Sequence, residues 1–436
     1  MNILIKNIDV VTCADSNMVI KNTNIGIKGN CIDFIGTNEE VLKEFKADTV
    51  IDGRNKLAMP GLVNTHTHCA MTILRNYAND LPLEDWLFNN IIPTEAKLTE
   101  EDIYWGTMLG MAEMIKSGTT TFTDMYYHMD TVAKAVAETG MRANLSRNAF
   151  KFIGSDSEMV RNQVPVCVDY FKNWHNKANG RIKVYVEIHS VYLCDETGLT
   201  ESAQLAKELG TGIHIHLLET LKEREEGILR YGSDPAEVCL KAGVFDVPVN
   251  AAHCVHLSES NFDVLSSKGV SVAHNPTSNL KLGSGIANVP LMLKKGINVA
   301  LGTDGAASNN NLDMFEEMHI AALIHKGVQM QPTLVNAEEV LKMATVNGAK
   351  AIGFEGEVGQ IREGLKADII LIDMDKAHIA PVNDLIPALT YCVHGSDVDT
   401  VIIDGNILME NRILKTIDEE KAKSKVREIS NRVLGK

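Results

Sequence analysis

The chain carries no C-x-x-C pair, no surplus of basic residues and no long apolar run, and each absence removes a class of function. Its eight cysteines (Cys13, Cys31, Cys69, Cys167, Cys194, Cys239, Cys254 and Cys392) follow no disulfide framework. They read as reduced thiols, which points to a cytoplasmic protein. The formal net charge is −15. Nucleic acid and anionic membrane surfaces both require a basic footprint, so neither is expected as a partner. No apolar stretch reaches the ~18 residues of a bilayer span. The opening MNILIKNIDVV alternates like a strand and has neither the apolar core nor the cleavage site of a secretory signal. Internal repeats and low-complexity tracts are also missing.

What is present fits a globular enzyme. Hydrophobic residues make up 45% and charged residues 23% of 436 positions. That length exceeds the roughly 250–300 residues of a single large barrel, so a second element is needed. Residues 1–56 read as short strands such as Ile3–Val11, Thr23–Lys28 and Cys31–Gly36. The end of the chain has the same texture in ADIILIDMD and DVDTVIIDGNILMENRIL, with Asp404-Gly405 as a hairpin turn.

Between them, apolar strand-like runs alternate with helical segments, including Glu100–Lys116, Glu201–Leu209 and Asp234–Ala242. Eight strand candidates are Leu62–His68, Thr119–Asp124, Ala143–Arg147, Lys183–His189, Gly212–Leu217, Val249–His253, Ser271–Ala273 and Asn298–Gly302. Eight parallel strands with crossovers predict an α/β fold, a (β/α)₈ TIM-like barrel over 57–364. A doubly wound open sheet is the alternative. The terminal segments, 1–56 and 365–436, are expected to meet as one small β-sandwich domain.

Chemistry concentrates at the predicted strand ends. In Pro60-Gly-Leu-Val-Asn-Thr-His66-Thr-His68, residues i and i+2 of a strand share a face, so two imidazoles aim at one point. The fifth strand ends in His214-Ile-His216 with Glu219 shortly after, the sixth in His253 and the eighth in Asp304. A barrel brings these ends around one mouth. Three neutral imidazoles and a carboxylate suit one divalent ion, zinc or alternatively iron, with a position left for water. His214 faces the same side as His216 and can compete as a ligand; His216 is preferred because it lies nearer the strand end. His274 is read as structural support and His256 as lying beyond the ligands.

With these residues the chain resembles the amidohydrolase superfamily, and within it the deaminases of 5′-methylthioadenosine and S-adenosylhomocysteine. The resemblance spans essentially the whole chain. It rests on PGLVNTHTHCAMTILRNYANDLPLEDWLFNNIIPTE, SGTTTFTDMY, IHIHLLET, AAHCVHL, HNPTSNLKLGSGIANVP, LGTDGAASNNNLDMFEEM and KADIILID. It implies a metal held by His66, His68, His216 and Asp304, and Glu219 and His253 acting on the water, with Asp304 also able to take a proton. It further implies substrate contacts from Trp86, Glu95, Arg147, His189 and Glu219, and from Ser308. The resemblance also implies a second arginine after the third strand; the stretch 148–164 does not align cleanly there, and Arg161 is the candidate. A carboxylate such as Glu95 can accept from two vicinal ribose hydroxyls, and Trp86 supplies an aromatic wall.

The expected activity is hydrolytic deamination of adenine nucleosides, with a small-molecule nucleoside as partner. Homo-oligomers are compatible with the sequence. Deamination of another base or of a pterin, or a triazine-type chlorohydrolase reaction, would use the same ligands and differ only in the pocket. A non-catalytic binding module is disfavoured by the full ligand set together with Glu219.

Overall fold

The computed structural model describes residues 1–14, 18–149 and 163–436. Its centre is a run of eight parallel strands: β1 (Leu62–Thr67), β2 (Thr119–Met125), β3 (Arg142–Asn148), β4 (Val186–Ser190), β5 (Ile213–Leu217), β6 (Val249–His253), β7 (Ser271–His274) and β8 (Asn298–Leu301). They pair in chain order from β1 to β8. Every residue of β1, β2, β5 and β6 is buried, as parallel strands covered on both faces must be. Helices lie between the strands, and the whole is the TIM-like barrel expected.

Among the described residues no ladder joins β8 back to β1. Single hydrogen bonds close that seam instead. Asn64 Nδ2 donates to Thr303 Oγ1 at 2.7 Å, and the Thr303 amide returns to Asn64 Oδ1 at 3.0 Å. Thr65 Oγ1 donates to the Leu301 carbonyl at 2.8 Å, and the Asp304 amide to the His66 carbonyl at 2.9 Å.

Local sequence sets most element ends. Glu100–Lys116 forms as expected because Thr99 and Asp102 close a capping box, and it stops before Gly118, whose φ is +89°. The helix expected from Glu201 starts earlier, at Glu196, since Asp195 caps it by accepting from the Gly198 amide at 2.7 Å. Asp234 likewise caps Pro235–Lys241. The expected strand Lys183–His189 is interrupted. A two-residue piece, Ile182–Lys183, pairs with β3, and β4 begins at Val186. Between them the Val184 carbonyl accepts from Thr211 Oγ1. Lys183 Nζ donates to Glu357 and to the Gly353 carbonyl, at the end of the strand remote from His189.

The chain termini build a second, nine-stranded sheet. Lys56–Pro60 and Ile369–Asp373 pair antiparallel at its middle, with Ala58 opposite Leu371, and so splice the two ends of the sequence together. Alternation then sorts side chains to two faces. Leu57, Met59, Ile370 and Ile372 join the barrel's apolar core. Ala58, Ile369 and Leu371 share a separate core with Ile3, Ile5, Ile25 and Ile27. Strands from both terminal segments thus share one apolar cluster. Gly61 carries the chain from this sheet into β1: a Cβ there would lie 2.1 Å from Thr120 Cγ2, so only glycine passes.

Two contacts fix the termini to the barrel. At the start of β3 the fully buried Arg142 donates through Nε and Nη2 to the two carboxylate oxygens of Asp368, at 2.8 and 3.0 Å, with Asp404 beside it. The C-terminal helix Glu419–Leu434 lies instead against Glu100–Lys116. Its Val426, Ile429 and Val433 share an apolar cluster with Trp86 and Ile91, and its Val433 carbonyl accepts from Lys97 Nζ at 3.0 Å. Removing the guanidinium would leave two buried carboxylates uncompensated, so Arg142→Met is expected to destabilise the fold by about 3–5 kcal/mol. Denaturant unfolding of the variant and the parent checks this; equal midpoints would show that the ion pair does not fasten the sheet to the barrel.

Candidate metal centre and substrate pocket

The strand ends meet at one mouth. His66 and His68 close β1, His216 lies on β5, His253 ends β6, and Asp304 follows β8. One nitrogen of each of the first three rings is already engaged. His68 Nδ1 donates to the Met125 carbonyl at 2.7 Å, and His216 Nδ1 to the His189 carbonyl at 2.6 Å. His66 Nδ1 shares a proton with His214 Nε2 at 2.9 Å. The remaining Nε2 atoms converge. His66 Nε2 and His68 Nε2 lie 3.5 and 3.3 Å from Asp304 Oδ1, and His68 Nε2 lies 3.4 Å from His216 Nε2.

These separations test the fit of a metal. Four donors placed tetrahedrally on a sphere of about 2.0–2.1 Å radius stand about 3.4 Å apart. The observed spacing matches a single ion, and the residues gather into two donor triads, His66–His68–His216 and His66–His253–Asp304. His66 Nε2 is buried without a hydrogen-bond partner, which is costly unless an ion takes its lone pair. Burial pushes the His66 imidazole down to about 4 and His216 well below the usual histidine range, so both are neutral and ready to ligate. The cluster fits a metal site. His214 is held away from it: Nε2 serves His66, and Nδ1 meets Ser146 Oγ at 3.2 Å.

The backbone is bent to present these groups. Leu218, His253 and Asp304 have φ of +51°, +73° and +62°. A left-handed conformation costs a non-glycine residue about 1–3 kcal/mol, and it concentrates at functional sites. Buried side chains hold each bend. Glu223 accepts from the Leu218 and Glu219 amides at 3.1 and 2.8 Å. Asn279 Oδ1 pairs with His253 Nδ1 at 2.8 Å, and Ser278 Oγ donates to Asp304 Oδ2 at 2.7 Å. Gly302 is obligatory beside them, since a Cβ there would lie 2.8 Å from the His66 amide nitrogen.

Glu219 Oε2 stands 3.8 Å from His253 Nε2, and Glu219 Oε1 accepts from Ser284 Oγ at 3.4 Å. Burial raises the Glu219 carboxyl above its ordinary value. Burial works against a charged His253, yet the Glu219 and Asp304 carboxylates raise its pKa overall. A carboxyl and an imidazole thus face each other within a dry site, each holding a proton more tightly than it would in water.

The other predicted contacts come from several elements. The His189 ring lies 4.8 Å from that of His216. Trp86 is on a π-helical turn, Asp85–Ile91, that runs on into Ile92–Glu95; such turns occur often at functional sites. Trp86 is buried, and its Nε1 has no hydrogen-bond partner among the described residues. Glu95 is only 7% exposed, and its Oε1 accepts from the Tyr126 hydroxyl at 2.5 Å. Burial outweighs that bond and lifts Glu95 to about 7. Arg147 ends β3 half-buried, and its charge partly offsets the rise to about 8 that burial imposes on Glu187. Ser308 is buried one turn past Asp304 and donates to the Gly305 carbonyl at 3.1 Å. His256 Nε2 bonds the Ser284 carbonyl at 2.7 Å, and the His274 ring packs 5.5 Å from that of His325; both lie outside the donor cluster. Arg161 lies outside the described residues.

Four contributors escaped the sequence reading: Tyr126, Glu223, Ser278 and Asn279. Three sit inside the stretches that carried the resemblance, DMY and HNPTSN. Glu223 follows Thr220 at capping-box spacing, and that signal was available.

Residues 57–408 match the amidohydrolase family, and the chain belongs to that family. It is 66% identical, over the full length of both chains, to the 5-methylthioadenosine/S-adenosylhomocysteine deaminase of Acetivibrio thermocellus. It is 53% identical to the protein of that name from Thermoanaerobacter pseudethanolicus, over 97% of this chain and 96% of the other. Among solved structures it is similar to a zinc-bound adenosine deaminase from Xanthomonas campestris, with TM-score 0.95, 29% identity and coverage of 100% and 99%. A triazine hydrolase from Arthrobacter aurescens, at TM-score 0.90, 24% identity and coverage of 98% and 99%, shares the fold.

The donor geometry predicts a stability that depends on metal. A divalent ion at a thousand times its Kd should stabilise chelator-treated protein by about 4 kcal/mol. His66→Ala should lose most of that gain. Thermal melts with and without added zinc, paired with elemental analysis, measure it; a Tm indifferent to metal in the parent would overturn the assignment.

Proposed function

We propose that the protein is a zinc-dependent hydrolytic deaminase of adenine nucleosides, acting on 5′-methylthioadenosine, S-adenosylhomocysteine and adenosine. The observation that carries this reading is the placement of Glu219 and His253 beside a four-donor metal cluster. The Glu95–Trp86 wall and the full-length identity to deaminases support it. His66, His68, His216 and Asp304 would hold the ion. When bound, zinc supplies Lewis acidity and brings the pKa of water toward about 7.

The reaction adds water across C6 of the adenine ring and releases ammonia, leaving the inosine analogue. Glu219 takes a water proton on its carboxylate and delivers it to the neighbouring ring nitrogen as C6 becomes tetrahedral. His253, fixed by Asn279, orients the water. Asp304, steadied by Ser278, holds a proton that the departing amine collects. Trp86 walls the substrate, Glu95 accepts from the ribose hydroxyls, and His189, Arg147 and Ser308 line the rest of the mouth. Eight unpaired cysteines support a reducing, cytoplasmic setting. No helix among the described residues is long and apolar enough to cross a membrane.

Glu219→Gln retains size and shape but loses the proton carrier. Ammonia release from adenosine should fall ~10²-fold or more while metal content stays at the parental level. A variant that turns over near the parental rate would remove Glu219 from the mechanism. A panel including guanine, a pterin and a chlorotriazine tests the substrate class: faster turnover of any of these than of the adenine nucleosides would replace the proposal.

A further inference from the structure

Met125 and Tyr126, adjacent at the end of β2, reach in two directions. The Met125 carbonyl accepts from His68 Nδ1 at 2.7 Å and so aims a metal-cluster imidazole. The Tyr126 hydroxyl donates to Glu95 Oε1 at 2.5 Å, and its ring lies 6.2 Å from that of His68. Glu95 itself arrives on a different element, the turn Ile92–Glu95 that follows the π-helical segment. Its carboxylate has no other side-chain hydrogen bond within the cluster of described residues around it.

A terminal carboxylate torsion is soft and roughly two-fold, so a glutamate with one free end samples many orientations. A hydroxyl donated to one oxygen selects among them and leaves the second oxygen, with its lone pairs, facing outward. The phenolic oxygen keeps acceptor capacity of its own.

We propose that Tyr126 is a positioning residue for sugar specificity. It pins Glu95 so that the carboxylate can receive both vicinal hydroxyls of a ribose, from the same strand end that orients His68. The inference rests on the deaminase reading, because the ribose it addresses is that of the proposed substrate. It extends that reading to a residue that need not touch the reacting atoms. The metal-cluster end and the sugar end of the substrate are thereby referred to two consecutive residues, and not to two independent loops.

The test uses the metal-loaded, full-length protein. In Tyr126→Phe, KM for adenosine should rise about tenfold, the scale of one lost hydrogen bond to a charged group, with a much smaller fall in kcat. The ratio of KM for 2′,3′-dideoxyadenosine to KM for adenosine should drop by a similar factor. In a Glu95→Gln background the same Tyr126→Phe change should add less than about twofold, since both substitutions break one unit. A merely structural tyrosine would instead weaken both substrates equally and add its full effect in either background, and either result overturns the proposal. Calorimetric binding of inosine against 2′,3′-dideoxyinosine reads the same contact without turnover. A ribose preference lost in Tyr126→Phe supports the inference, and one retained intact sinks it. A parent that binds inosine but releases no ammonia from any adenine nucleoside would defeat the deaminase reading alone.

Discussion

An imidazole has two nitrogens, and in a dry barrel mouth both must be accounted for. If one is to face an ion, the other needs a partner that also fixes the ring, because the ring torsion by itself is soft. Here the partners are the Met125 carbonyl for His68, the His189 carbonyl for His216, and His214 backed by Ser146 for His66. These partners come from β2, β4, β5 and β3, whereas the rings come from β1 and β5. The convergence of Nε2 atoms therefore exists only when those strands are correctly registered. Metal affinity, ring orientation and barrel closure are one constraint seen from three sides.

Asp304 completes the set across the seam where β8 meets β1. Among the described residues that seam has single hydrogen bonds and no ladder, and one of them joins the Asp304 amide to the His66 carbonyl. The backbone of Asp304 is thus tied to that of a residue with which its carboxylate would share an ion. Left-handed turns at Leu218, His253 and Asp304 store strain at the same level of the barrel. Buried acceptors and donors hold those turns, and the apolar core together with the terminal sheet supplies the stability that tolerates them.

The segment with Trp86 and Glu95 is assembled from less regular structure. The π-helical turn with Trp86 shares an apolar cluster with Val426, Ile429 and Val433 of the C-terminal helix, and just past Glu95 the Lys97 Nζ donates to the Val433 carbonyl. Residues at the far end of the sequence thereby bear on the segment that carries Trp86 and Glu95. This division separates a strand-borne centre from a segment whose placement depends on packing between distant helices.

His66 and His68 could be read directly, because the two-residue period of a strand guarantees a shared face whatever the surroundings. The alternation of strands and helices announced the barrel for a similar reason: burial on both faces requires apolar runs, and crossovers require helices between them. The break at Val184–Tyr185, the π-helical turn at Trp86 and the bond from Tyr126 to Glu95 left no such periodic trace. Each follows from a partner far away in the chain: Thr211 for the break, the C-terminal helix for the turn, and β2 for the glutamate. Sequence alone determined which residue types stand at which strand ends, since local periodicity and capping act over a few positions. Tertiary structure decided which nitrogen of each ring is free and which carboxylate oxygen is held, because those choices are made by hydrogen bonds between strands that meet only when the barrel closes.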